Sequence, residues 1–489
     1  MWKRLESFEK NFLKYGVAAL LIVIPLYPKF PLFKIPGSWV SIRLEDFLIA
    51  TVLLVWLLGI VRRRFNFLKD DLDKTIIAYF VVGFISLASA IFVTHSVVPH
   101  IGLLHTLRRV EYMAVLFVVL ASIKSRKELV FYLEVIFLTL IFVFLYGVGQ
   151  KFFLFPVIST MNTEFAKGIA LRLHPGARVS STFAGHYDLA AYLVLLLPLA
   201  MAVLVSAKKK VHKFILVLVF VFSFWLLLLS ASRISFFAYL LSITFTLWFI
   251  KRKLWIIPIL ALSILASSFT PQLTDRYSQT LQVALYKIKQ VQFKFPWDKQ
   301  PTVISFVPEP TPTPIPIIEE KPQAVVKKIR VIPTPTPTPS EKRIVFYGAG
   351  DEMPQTEDRS FSIRVKVEWP RALRALAKNP LLGTGFSSIT LATDNDYLRA
   401  LGEVGILGFL AFSLILLIIF HRADSVLFRR PQSFEDFLLI GLLGAMIGFL
   451  ANAFFIDVFE ASKVAITFWL LMGILVATAR LIKVETNRK

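Results

Sequence analysis

Apolar residues in this chain come in long unbroken runs, separated for the most part by short polar connections. Runs of about 18–25 such residues have the length a helix needs to cross a hydrocarbon core. About twelve are present, at 15–28, 44–61, 75–93, 103–123, 128–148, 187–206, 213–230, 234–250, 254–270, 399–420, 434–453 and 464–482. The first is short and carries Pro25 and Pro28. It lacks the small-residue cleavage site of a signal peptide, so it is expected to be retained. The pattern predicts an all-α polytopic membrane protein with about 12 transmembrane helices.

One connection is far longer than the rest. Residues 271–398, between spans 9 and 10, predict one large extracytoplasmic loop. The chain then divides into spans 1–9 (1–270), the loop (271–398) and spans 10–12 (399–489). Inside the loop, Pro310–Pro316 and Pro333–Pro339 alternate proline with threonine and define a Pro-Thr-rich insertion at about 300–345. Such tracts favour extended polyproline II and pack no core, so they read as semi-rigid spacers. From Arg364 the pattern changes. Val365, Val367, Trp369, Leu373 and Leu376 form an amphipathic series that stops at Asn379-Pro380, predicting a membrane-surface helix over about 362–378. Gly383 and Gly385 mark a turn after it, and Asp394-Asn-Asp396 leads into the tenth span.

Composition agrees with the pattern. Of 489 residues, 56% are hydrophobic and 18% charged, and mean hydropathy is +0.67. Soluble domains carry about 25% charge, so a water-soluble enzyme is excluded, and a disordered chain would deviate the other way. With no cysteine there is no disulfide framework, thiolate metal site or cysteine nucleophile. The net charge of +23 would suit a nucleic-acid binder if it were clustered. Instead, 26 Lys and Arg fall on the segments that are cytoplasmic when both termini are inside, against 11 on the short outer connections. That asymmetry predicts cytoplasmic termini and an external large loop, in a cytoplasmic membrane, with no nucleic-acid role. The loop itself holds 17 basic and 13 acidic residues, and long loops translocate regardless of charge.

Ionisable groups in or beside a span are costly and are usually functional. Here they gather at the outer boundary. His105, Arg108, Arg109 and Glu111 open the fourth span; Arg178, His186 and Asp188 precede or open the sixth. Arg233 stands in the turn Ser230-Ala-Ser-Arg233 between spans seven and eight, and Arg364, Asp394, Asp396 and Glu403 end the large loop or follow it. A site there faces a head group projecting from the outer leaflet, and arginine forks match a lipid-linked pyrophosphate. Arg233, Arg364, Arg178 and Arg108 are the candidate pyrophosphate ligands. Snorkelling to lipid phosphates is the other use open to Arg233, and Glu111, one helical turn on, can neutralise Arg108. Transfer to an acceptor hydroxyl also needs a base, for which Asp394, Asp396 and His186 are the candidates. Asp394-Asn-Asp396 equally has the composition of a helix N-cap, which would occupy one aspartate. The remaining outer histidines lack metal-ligand spacing, so neither a metal nor a cofactor is expected.

These residues carry a resemblance to a known family. Arg178-Val-Ser-Ser-Thr-Phe183 with Tyr187-Asp-Leu-Ala-Ala-Tyr-Leu193, Ser230-Ala-Ser-Arg233, the stretch from Arg364 through Trp369 to Gly385, and Asp394-Asn-Asp-Tyr-Leu398 with Glu403-Val-Gly-Ile-Leu-Gly408 follow one another around the large loop. In order and spacing they resemble the O-antigen ligase and O-antigen polymerase superfamily. The likeness runs from Ile42-Arg-Leu-Glu-Asp-Phe47 to the last span, leaving out the Pro-Thr insertion. It implies a metal-independent glycosyltransferase that takes a glycan from an undecaprenyl-pyrophosphate carrier. The glycan would pass to an acceptor glycan, lipid or protein on the outer face of the cytoplasmic membrane. By resemblance, Arg233 and Arg364 hold the pyrophosphate. The ligase pattern has a histidine where this chain has Asp394, and His186 is the expected stand-in. Ligation and polymerisation are not separated by any residue here. The rival class is a transporter or flippase of the same lipids, which would place its ionisable groups near the bilayer midplane.

Overall fold

The computed structural model describes residues 2–35, 41–62, 68, 70–159, 169–172, 174, 176–270, 273–274, 277–278, 362–390 and 392–486. Residues 1–280 and 358–489 belong to one compact unit; 281–357, with the Pro-Thr insertion, lie outside the described residues.

Helices account for nearly all regular structure in the first unit. They are α1 (Trp2–Leu26), α2 (Leu44–Val61), α3 (Asp71–Phe92), α4 (Pro99–Ser122), α5 (Arg126–Phe153), α6 (His186–Ser206), α7 (Lys210–Leu229), α8 (Arg233–Phe249), α9 (Ile256–Ser268), α10 (Trp369–Lys378), α11 (Asp396–His421), α12 (Phe434–Asn452) and α13 (Ser462–Thr486). Two short antiparallel pairs add β1 (Phe33–Lys34) with β2 (Ser41–Ile42), and β3 (Val157–Ile158) with β4 (Ala170–Leu171). Each of the twelve expected spans coincides with a helix. Eight of these, α2, α3, α5, α6, α7, α11, α12 and α13, are long and apolar enough to cross a bilayer. The apolar helices Arg233–Phe249 and Lys253–Ser268 are shorter. The fourth expected span, α4, is interrupted by Arg108, Arg109 and Glu111.

Polar residues set where the helices start. Asp70 and Ser125 accept backbone N–H bonds at the starts of α3 and α5, and Ser433 with Asp436 forms a reciprocal capping box on α12. The interior is built on α6, α12 and α13, whose apolar windows are 83, 72 and 78% buried, against 28–33% for α2, α3, α7 and α11. Within a bilayer, close helix approach depends on small residues. On α12, a Cβ at Gly444 would lie 2.1 Å from Thr246 Oγ1 of α8, and one at Gly441 would lie 2.6 Å from Ala202 Cβ of α6.

Helix α11 is broken. Gly405 sits at φ +67°, ψ −172°, so the helical hydrogen bonds lapse between a short outer stub and the long apolar remainder. The turn at 380–385 fills the gap. Thr384 and Gly385 donate N–H bonds to the carbonyls of Gly402 and Glu403 (2.9 and 2.8 Å), and Ile406 and Leu407 donate to Pro380 and Leu381 (2.9 and 3.2 Å). Ser86 Oγ of α3 adds bonds to the carbonyls of Leu382 and Glu403. Irregular backbone at such a depth is tolerated only when its polar groups find partners in this way. A Cβ at Gly405 would meet Leu381 O at 2.3 Å, and one at Gly383 (φ +68°) would meet Glu403 O at 2.5 Å. The glycine turn expected from the sequence is therefore one half of a joint whose other half is a helix.

Among the described residues, these ionic contacts fall into two separate sets. At one end Glu9 pairs with Arg62, Asp70 with Arg422 and Arg480, and Arg126 with Glu435. At the other, Lys29 meets Asp188, Arg108 meets Asp46, Arg109 meets Glu460 and Arg364 meets Asp394. These are the segments that charge asymmetry assigned to opposite sides.

Candidate active site

The second end holds the candidate chemistry. Just before α10, Arg364–Glu368 form a π-helical turn in which Trp369 N–H reaches back to Arg364 O. Pro370 explains the widening, because it has no N–H and its ring would collide with a carbonyl one regular turn earlier. The turn delivers Arg364 inward. Its guanidinium, 6% exposed, donates from Nη2 to Asp394 Oδ2 over 2.7 Å, while the Asp394 side chain remains 30% exposed.

Asp394 sits in a tightly held turn. Its φ is +48°, a left-handed conformation that aspartate adopts more readily than most residues. Asp457, in the connection between α12 and α13, grips both sides of that turn: Thr393 N–H donates to its Oδ2 (2.8 Å) and Asn395 N–H to its Oδ1 (3.2 Å). Arg399 in turn donates to Asp457 Oδ2 (3.1 Å) and lies 3.4 Å from Glu403 Oε1. Arg109 of α4 completes the group, bonded to Glu460 and to Phe459 O. Below it is a cavity lined by Arg109, Arg399 and Glu403 together with Tyr79, Tyr112 and Trp469.

The helix-cap expectation needs correction. Asn395, not either aspartate, caps α11 by accepting the Leu398 N–H at 2.9 Å. Asp396 is enclosed and accepts the Phe459 N–H at 3.1 Å.

Three buried polar atoms in the two segments that carry Arg364 and Asp394 have no hydrogen-bond partner: Glu368 Oε2, Arg371 Nη1 and Thr393 Oγ1. Each such atom costs about 1–3 kcal/mol, so each is a group that a polar ligand would satisfy. Burial, with the negative charge of Asp394 added and Arg364 opposing, pushes the Glu368 carboxyl up to about 7. Burial also raises Asp394, against the pull of Arg364.

The other expected residues line the same end. Arg178 Nη1 donates to His186 Nε2 at 2.9 Å, which leaves that ring nitrogen acting as an acceptor. His186 opens α6 from Gly185 and stacks on Tyr187. Arg233 is the first residue of α8, behind a Ser232 cap, and its charge acts on Tyr277. Val179 N–H to Leu229 O (3.1 Å) ties the Arg178 segment to the α7–α8 turn. Arg108 is occupied by Asp46 (3.6 Å) and the Ser41 carbonyl (3.2 Å). Lys463, fully enclosed, donates to the carbonyls of Pro25 (3.1 Å) and Thr182 (2.8 Å), linking the His186 side to the connection that carries Asp457. Nearby, Lys29 is lowered to about 8 by burial despite Asp188.

The structure thus joins Arg364 to Asp394 and Arg178 to His186. Sequence reading missed Glu368, Arg399, Asp457, Glu460 and Lys463. For the last three the available signal was a charged ten-residue connection between two long apolar spans; for Glu368 it was its spacing of four from Arg364.

A polytopic helical protein with arginine–carboxylate pairs gathered at one end, beside the short helix α10, is the class that fold and site define. Residues 218–413 match the family model described as O-antigen ligase, and the match supports placement in the O-antigen ligase superfamily. It covers Arg233, Arg364, Glu368, Asp394 and Arg399, and stops before Asp457. The likeness read over most of the chain is thus supported across this region. No curated protein matches the chain.

Proposed function

We propose that the protein is a glycosyltransferase that moves a glycan from an undecaprenyl-pyrophosphate carrier to an acceptor hydroxyl on the outer face of the cytoplasmic membrane. The observation that carries this reading is the Arg364–Asp394 pair, inside the O-antigen ligase match and open to solvent only on its Asp394 side. Arg364 and Arg233 hold the carrier's two phosphates, and Arg178 supports them from the His186 side. As the anomeric bond breaks, charge builds on the leaving pyrophosphate, and fixed guanidiniums stabilise it without reorganisation. Asp394 holds Arg364 in place for that task. His186, whose Nε2 is occupied by Arg178, supports the arginine rather than standing in for a missing imidazole. The acceptor is a glycan, lipid or protein.

A broken membrane helix is also a transporter feature. In α11, however, the freed carbonyls of Gly402 and Glu403 are taken by Thr384 and Gly385, so the break offers them to no cargo. The test incubates purified protein with undecaprenyl-pyrophosphate-linked oligosaccharide and candidate acceptors. A longer glycan or a new conjugate is the expected product, and unchanged lipid would count against transfer. Arg364→Ala and Arg233→Ala should each lower kcat/KM by about 10²-fold or more, in the range for removing one charged stabiliser. If both variants keep full activity, the pyrophosphate assignment is wrong.

A further inference from the structure

Transfer to a hydroxyl releases a proton. The group that takes it needs a free oxygen or nitrogen, access to the substrate, and a charge state suited to the working pH. Each of the three bases expected from the sequence has one atom already engaged. Asp394 Oδ2 holds Arg364 at 2.7 Å, Asp396 Oδ2 accepts the Phe459 N–H at 3.1 Å, and His186 Nε2 faces Arg178 at 2.9 Å.

Glu368 differs. It ends the π turn that Arg364 begins, so the two side chains lie about one π turn apart. Its Oε2 is buried with no hydrogen-bond partner, as are Arg371 Nη1 and Thr393 Oγ1. An unpaired carboxylate oxygen is suited to accept the hydrogen of a sugar hydroxyl.

Resting on the transferase reading above, we propose that Glu368 is the catalytic base: its free oxygen takes the proton of the acceptor hydroxyl while Arg364 holds the leaving pyrophosphate. The acceptor oxygen forms a bond to the anomeric carbon as the bond from that carbon to the phosphate oxygen breaks. The electron pair leaves with the carrier pyrophosphate. The proton passes from the hydroxyl to Glu368 and then to outer water, restoring the carboxylate.

The electrostatics agree with this geometry. Facing Glu368 are Arg364 and Arg371 from its own helical segment, Asp394 from the turn before α11, and Asp457 from the α12–α13 connection. Burial, Asp394 and Asp457 raise its carboxyl and the arginines lower it, leaving it at about 7, near the value that serves a base at neutral pH. Transfer should therefore fall as pH drops below about 7 and Glu368 becomes protonated.

The test measures kcat and KM for glycan transfer across about pH 5–9 with full-length protein in nanodiscs, undecaprenyl-pyrophosphate-linked oligosaccharide and a hydroxyl acceptor. Glu368→Gln should lose about 10²- to 10⁴-fold in kcat with little change in KM, and should lose the acid limb near neutrality. Glu368→Asp should recover part of both, which a fold defect would not. Glu368→Gln with wild-type kcat and an unmoved limb would overturn the proposal. So would Asp394→Asn abolishing the limb while Glu368→Gln keeps it, because the base would then be Asp394 and the transferase reading would survive. Absence of any transfer product from the wild-type protein would remove both.

Discussion

Asp457 is the residue on which the local geometry turns, although nothing places it near the leaving group. Its two oxygens hold the N–H groups on either side of Asp394, and Arg399 holds Asp457 (3.1 Å). Asp457→Ala releases a left-handed turn and leaves Arg399 without its closest carboxylate. The expected outcome is a fall in kcat of about 10- to 100-fold, since a misplacement of about 1 Å is enough for that, with KM nearly unchanged. Asp457→Asn keeps one acceptor for the turn and should fall between wild type and Ala. Steady-state kinetics on lipid-linked oligosaccharide checks both. Equal loss in the two variants would mean that charge, not the two-sided grip, is what matters.

Among the elements, the joint between the 380–385 turn and α11 makes the sharpest demand on sequence. Gly405→Ala and Gly383→Ala each combine a left-handed φ with a backbone atom at 2.3–2.5 Å. Each should destabilise the protein on the order of 2–4 kcal/mol. Gly176, whose nearest neighbour is His174 Nδ1 at 3.4 Å, is the control and should change little on substitution to Ala. Thermal unfolding in detergent, followed by fluorescence, reads all three. The same elements show what a sequence discloses and what it withholds. Long apolar runs gave away the helices, because nothing else buries such a run in lipid. The break in α11 was hidden, since Gly405 lies in an apolar stretch that satisfies a hydropathy window with or without a kink. Arg364 and Asp394 were readable as costly charges near a boundary. Asp457 and Glu460 were not, because a charge in a short connection reads as solvated until tertiary contacts bury it. Glu368 escaped because a carboxylate in an amphipathic series reads as part of the solvated face until its burial is seen.

For the whole molecule, the two separate sets of ionic contacts, one around Asp70 and one around Asp394, define two ends with an apolar middle. Only charge bias says which end is outside. The chain has no cysteine, so single substitutions report without background. Lys378→Cys, exposed at the end of α10, should react with a membrane-impermeant maleimide in intact cells. Lys209→Cys, exposed before α7, should react only after permeabilisation. The reverse pattern would invert the topology and remove the outer-face reaction.

The stitched break in α11 also limits movement. The surface segment bearing Arg364 and Glu368 runs into Asn379, which is bonded to Ser89 of α3 (3.0 Å), and then into a turn sharing four backbone hydrogen bonds with a membrane helix. Such a segment is an immobile jaw, not a flap. On the transferase reading proposed above, any opening for a substrate would have to come from the elements facing this segment and not from the segment itself.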